Sequence, residues 1–128
     1  MKNFKKVLIV EDEVAFQTAL AEEIRAEDIE VLAAGDGKSG LDIALSEHPD
    51  LIWLDVKLPV MGGIEMLREL RKDEWGKKAC VVLLTQVFDT KVVADALENG
   101  VVKYFVKADH SVPDIIIETK KYFATLVV

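Results

Sequence analysis

Short β-branched apolar runs alternate with longer amphipathic stretches along this chain. The runs are Lys6 to Val10, Ile29 to Ala33, Leu51 to Leu54, Cys80 to Leu84 and Lys103 to Val106. Each is continuous rather than alternating, which predicts strands buried on both faces. The stretches between them have helical spacing. Glu13 to Ala26 sets Val14, Leu20 and Ile24 on one stripe, and Asp36 to Glu47 does the same with Leu41, Ile43, Ala44 and Leu45. Ile64 to Arg71 follows the Gly62-Gly63 turn. Asp89 to Glu98 stops at Asn99-Gly100, where glycine takes the left-handed C-cap conformation at little cost. A last helix starts at Val112, with Ser111 as N-cap and Pro113 in its first turn.

Strand and helix thus alternate five times with short connections. Right-handed crossovers then predict an α/β fold: a five-stranded parallel sheet, (βα)5, doubly wound with helices on both sides. Residues 1–128 are expected to form a single domain, with no output domain beyond the fifth helix. That helix is broadly apolar, through Ile115-Ile116-Ile117, Tyr122-Phe123 and Leu126-Val127-Val128. Two readings stand: a wide buried face, or a contact surface for a partner or a second copy.

Composition narrows the function. With 128 residues the chain can bury a real core. Its 23 acids against 16 bases give a net charge of −7, which argues against direct nucleic-acid binding. Lys2, Lys5 and Lys6 precede an apolar run too short for a signal peptide, and no stretch reaches the length of a membrane span. A cytoplasmic location is the default expectation. Cys80 is the one cysteine, at the head of an apolar run, and reads as packing.

In such a sheet, ligands bind beyond the carboxyl ends of the strands. The first strand ends in Glu11-Asp12-Glu13, the third in Asp55, the fourth in Thr85 and the fifth in Lys107. Crowded carboxylates repel unless a cation lies among them. Oxygen ligands with no histidine or thiol beside them suit Mg²⁺. Lys107 offers a point charge for a phosphate and Thr85 a donor. Acids after a strand also serve as helix caps, so Glu11-Asp12-Glu13 alone decides nothing. Asp55 is harder to dismiss, because an acid closing Leu51-Ile52-Trp53-Leu54 is costly to desolvate.

Val7-Leu8-Ile9-Val10-Glu11-Asp12-Glu13 resembles the opening of a response-regulator receiver domain. His48-Pro49-Asp50-Leu51-Ile52-Trp53-Leu54-Asp55-Val56-Lys57-Leu58-Pro59-Val60-Met61-Gly62-Gly63 resembles that family's phosphoacceptor segment. Leu83-Leu84-Thr85 and the segment from Gly100 to Lys107 resemble its later blocks. The resemblance implies the flavodoxin-like, CheY-like strand order 2-1-3-4-5. It implies that Asp55 takes phosphate from a sensor histidine kinase or phosphotransfer protein. Glu11, Asp12, Asp55 and the backbone carbonyl of Lys57 would hold Mg²⁺ or Mn²⁺. Lys107 would pair with the phosphate, and Thr85 and Tyr104 would form the switch. The domain would be no enzyme beyond its own phosphoryl transfer and dephosphorylation. The fourth helix, fifth strand and fifth helix would carry a downstream protein contact or a homodimer, with no nucleic acid or membrane bound directly.

Four positions depart from that pattern. Ala108 stands where the family usually has a proline in a cis bond, so either the strain is retained or the loop takes another path. Gln86, after Thr85, is large and would partly cover the site. Lys57 would lean over the phosphate and change its lifetime. Gly62 replaces a frequent acid and would loosen the third helix's start. Two other classes compete. One is a receiver-like interaction module that is not phosphorylated. The other is a phosphatase forming an aspartyl-phosphate, which needs a second acid two residues on, where this chain has Lys57.

Overall fold

A computed structural model of the chain describes residues 6–86, 88–109 and 111–124. The strands are β1 (Lys6–Val10), β2 (Glu30–Ala34), β3 (Leu51–Asp55), β4 (Val81–Thr85) and β5 (Lys103–Val106). The helices are α1 (Val14–Arg25), α2 (Gly37–Glu47), α3 (Gly63–Arg71), α4 (Thr90–Glu98) and α5 (Val112–Ala124). The sheet is parallel throughout, in the order β2-β1-β3-β4-β5. The reversal of direction falls between β1 and β3, so the ends of those two strands form the expected crevice.

The helices begin and end for local reasons. Asp36 caps α2 by accepting from Ser39 N at 2.7 Å, and Asp89 caps α4 by accepting from Lys91 N at 2.9 Å. At α5, Ser111 Oγ accepts from Asp114 N at 3.3 Å while Asp114 Oδ2 accepts from Ser111 N at 3.4 Å, a reciprocal cap. Gly100 follows α4 at φ +80, as its stop signal requires. Arg71 locks α3 to the far end of α4, donating to Asn99 O at 2.6 Å and to Ala79 O at 2.8 Å.

The sheet separates two cores. Leu8, Val10, Leu54, Leu83 and Val101 pack with α2, α3 and α4. Val7, Ile9, Trp53, Leu84 and Phe105 pack with α1 and α5. Cys80 lies half-buried against the second core, as packing predicts.

Two expectations need correction. Burial on both faces holds for β3 and β4 throughout and for Val7 to Val10 of β1, but the edge strands β2 and β5 are half-covered. Each lies at an edge of the sheet, with a strand neighbour on one side only. Val14 is not on the buried stripe of α1, being 73% exposed. It is the first residue of the helix, and its side chain faces outward. In α5, Ile115 and Ile116 are buried and Ile117 is half-exposed, while the side chains of Tyr122 and Phe123 and residues 125–128 lie outside the described residues. No helix among the described residues is long and apolar enough to cross a membrane.

Candidate functional site

Alternation along the strands decides what meets at the carboxyl edge. Glu11, Asp55 and Lys107 follow Ile9, Trp53 and Phe105 by two residues, so they share the α1–α5 side of the sheet. Glu11 and Asp55 are buried, at 0% and 4% exposure, while Asp12 is exposed. One carboxylate oxygen from each of Glu11, Asp12 and Asp55 lies within 4.8 Å of the other two. The Lys107 ammonium enters from the end of β5. It bonds Glu11 Oε1 and reaches Asp55 Oδ2 at 3.2 Å.

Burial is the main force pushing Glu11's pKa up from its ordinary 4.5 to about 7, and the neighbouring Asp55 carboxyl adds to it. Hydrogen bonds from Lys107 and from Glu13 N oppose the shift. For Lys107 burial pulls the other way, but Glu11 and Asp55 together outweigh it and hold the ammonium above its ordinary value. Three acids against one ammonium leave local negative charge, which a cation would relieve. The donor set is carboxylate oxygen alone, fitting a hard divalent ion such as Mg²⁺ or Mn²⁺.

Backbone contacts hold Asp55 in place. Its Oδ1 accepts from Val56 N at 2.8 Å, and Gly63 N donates to Val56 O at 2.8 Å. A Cβ on Gly63 would sit 2.0 Å from Asp55 O, so only glycine lets α3 start this close under the loop. Gln17 anchors the other wall, its Nε2 donating to Glu11 O at 2.9 Å and Ala34 O at 3.3 Å. Phe16 lies under Lys107, with Nζ 4.6 Å from the ring centroid. Sequence reasoning missed Phe16, Gln17 and Gly63. The signal for Gly63 was its adjacency to Gly62, which was read only as a turn.

Thr85 is buried at the end of β4, paired in register with Val106. By alternation it belongs to the opposite face, with Leu83 and Tyr104. Tyr104 is half-buried there, its ring 6.1 Å from that of Phe88. Lys57 and Gln86 are exposed beside the site. Among the described residues no peptide bond is cis. The alternative path is therefore the one taken: Lys107–Asp109 form a 3-10 turn with Ala108 exposed, and Lys107 still reaches both acids. Glu13 occupies the N-cap position of α1 without a side-chain cap bond. Gly62 likewise precedes α3 with none, although Gly63 N and Met66 N both donate within the turn, to Val56 O and Gly62 O. Val60, 84% exposed in the same loop, holds φ +68, a costly conformation for a β-branched residue.

Comparison with known proteins gives the family and the fold. A family model described as the response regulator receiver domain matches residues 7–116. Sporulation initiation phosphotransferase F of Bacillus subtilis is 30% identical over 118 residues, covering 92% of this chain and 93% of that protein. A CheY-like receiver domain protein of Methanospirillum hungatei superposes with a TM-score of 0.85 at 24% identity, covering 96% of each chain. The Mn²⁺-bound form of response regulator Rcp1 superposes at 0.74 with 29% identity, covering 80% of this chain and 81% of the other. Several longer curated regulatory proteins also match, and this chain spans 23% to 53% of their lengths.

Proposed function

The chain belongs to the response regulator receiver family of two-component systems, and we propose from that membership that Asp55 is its phosphoacceptor. The observation that carries this reading is the meeting of Glu11, Asp12 and Asp55 with the Lys107 ammonium at one strand edge. An Asp55 carboxylate oxygen forms a bond to phosphorus as the phosphorus–nitrogen bond of a donor phosphohistidine breaks. The imidazole leaves with the electron pair. Phosphoryl transfer of this kind depends on positioning and charge neutralisation more than on acid–base chemistry.

Glu11, Asp12 and Asp55, with the Lys57 carbonyl, are the residues to hold Mg²⁺ or Mn²⁺. The ion supplies positive charge that lets a carboxylate approach an anion. Lys107, already within reach of Asp55 Oδ2, would supply a second by pairing with the phosphoryl oxygens. Thr85 takes up a phosphoryl oxygen from the other side of β4, and Tyr104 follows it. The readout is a protein contact on α4, β5 and α5. A groove there is lined by Leu97, Lys103, Tyr104, Asp114 and Ile117. The donor is a sensor histidine kinase or phosphotransfer protein. A turnover phosphatase is disfavoured because Lys57 puts an ammonium where a second acid is needed.

The test is intact mass after incubation with Mg²⁺ and a small acyl phosphate. One phosphoryl group should be gained, and lost in Asp55→Asn. No gain in the wild-type protein, with no response to beryllofluoride, would instead support an interaction module that is not phosphorylated.

A further inference from the structure

We propose that Phe16 is a positioning residue for Lys107, holding its ammonium between an aromatic face and the two buried acids. The proposal rests on the phosphoacceptor reading of Asp55, and gives that site a part outside its charged groups.

Lys107 carries a long flexible stem and must bridge from the end of β5 across β4 to acids on β1 and β3. A lysine has many rotamers to lose in such a reach. Its backbone sits in a short 3-10 turn next to exposed Ala108. Yet the side chain is only 8% exposed, so something covers it.

Phe16 is placed to do so. It lies in the first turn of α1, half-buried against the core that contains Ile9, Trp53 and Phe105. Its ring takes the Lys107 ammonium at 4.6 Å from the centroid, within cation–π range. The negative face of the ring and the carboxylates of Glu11 and Asp55 thus share one cation. The ring excludes water from the stem without offering a hydrogen bond that would compete with a phosphoryl oxygen. Gln17, the next residue, pins the Glu11 carbonyl, so one turn of α1 sets both the cation and its acid partner. A helix pattern alone counts Phe16 as core.

The test compares Phe16→Leu, which keeps apolar bulk, with Phe16→Tyr, which keeps the ring. Protein carrying ¹³C-labelled lysine reports Lys107 directly, its resonance assigned by loss in Lys107→Met. In wild type and Phe16→Tyr the ε-methylene protons should be shifted upfield by the ring; in Phe16→Leu they should join the other lysines. At saturating Mg²⁺, phosphorylation by a small acyl phosphate should slow about fivefold in Phe16→Leu and recover in Phe16→Tyr. Mg²⁺ affinity should barely change. An unshifted Lys107 in wild type, or a wild-type rate in Phe16→Leu, overturns the proposal. A shifted Lys107 in a wild-type protein that takes no phosphate supports the Phe16 contact and counts against the phosphoacceptor reading alone.

Discussion

Two loops leave the same edge of the sheet, and they are held in different ways. The loop after β3 is packed backbone on backbone. Val56 N donates to Asp55 Oδ1 at 2.8 Å and to Leu84 O at 3.2 Å, and Gly63 closes over Asp55 O. The loop after β4 leaves Gln86 and Phe88 exposed. Its described anchors are the Asp89 cap of α4 and a ring contact between Phe88 and Tyr104. The first loop carries the reactive carboxylate, which must stay in place. The second leads to the face proposed for readout, where two arrangements must lie close in energy. Rigidity and surface have been assigned to different strands of one sheet.

The largest expected effect comes from opening the first loop. Gly63→Ala places a methyl group 2.0 Å from Asp55 O, a contact no side-chain rotation relieves. The expected loss of stability is about 3 kcal/mol or more, read from urea unfolding, together with loss of Mg²⁺-dependent phosphorylation. A near-neutral Gly63→Ala would show that this loop is as yielding as the other.

A smaller effect tests the charges held by that rigidity. Glu11 passes from an ordinary pKa of 4.5 in the unfolded chain to about 7 in the fold. Between those values the native state binds more protons. The stability Glu11 contributes is therefore fully present below about pH 4.5 and is lost as pH rises through about 7. The slope is at most about 1.4 kcal/mol per pH unit. It is measured as the difference between wild type and Glu11→Gln in unfolding midpoints across that window. Mg²⁺ should restore stability to the wild type over Glu11→Gln above pH ~7, because the ion binds the deprotonated carboxylate. A pH-independent difference would mean that Glu11 is more solvated than its burial implies.

Much of this arrangement was legible in the chain because strand ends are. A continuous apolar run that stops at an acid, a threonine or a lysine marks both the element and its edge. Glu11, Asp55, Thr85 and Lys107 were named that way, and the strand bounds shifted by a residue at most. What was not legible depends on direction and depth. Which sheet face a residue takes separates Asp55 and Lys107 from Thr85 and Tyr104, and an apolar run carries no parity past its last residue. The half-covered strands β2 and β5 lie at the sheet's edges, whereas an apolar run reads the same at an edge as at the centre. Phe16 went unnamed because a helical stripe does not say what crosses its end, and Gly63 counted as a turn because close approach leaves no mark in a pattern.

The smallest effect separates two adjacent glycines. Gly62 precedes α3 at φ −66 and ψ 161, a conformation any residue adopts, and has no side-chain cap bond. An added Cβ would meet nothing nearer than Val56 O at 3.8 Å. Gly62→Asp should thus be tolerated where Gly63→Ala is not. Its carboxylate can accept from an open N–H of the first turn of α3 and favours the helix dipole. The chain also gives up less backbone freedom than glycine on folding. The expected gain is about 0.5 kcal/mol in urea unfolding, with the phosphorylation rate unchanged. A loss instead would mean that the added charge disturbs the acids at Glu11 and Asp55, and that the rigid loop is held by electrostatics as much as by contact.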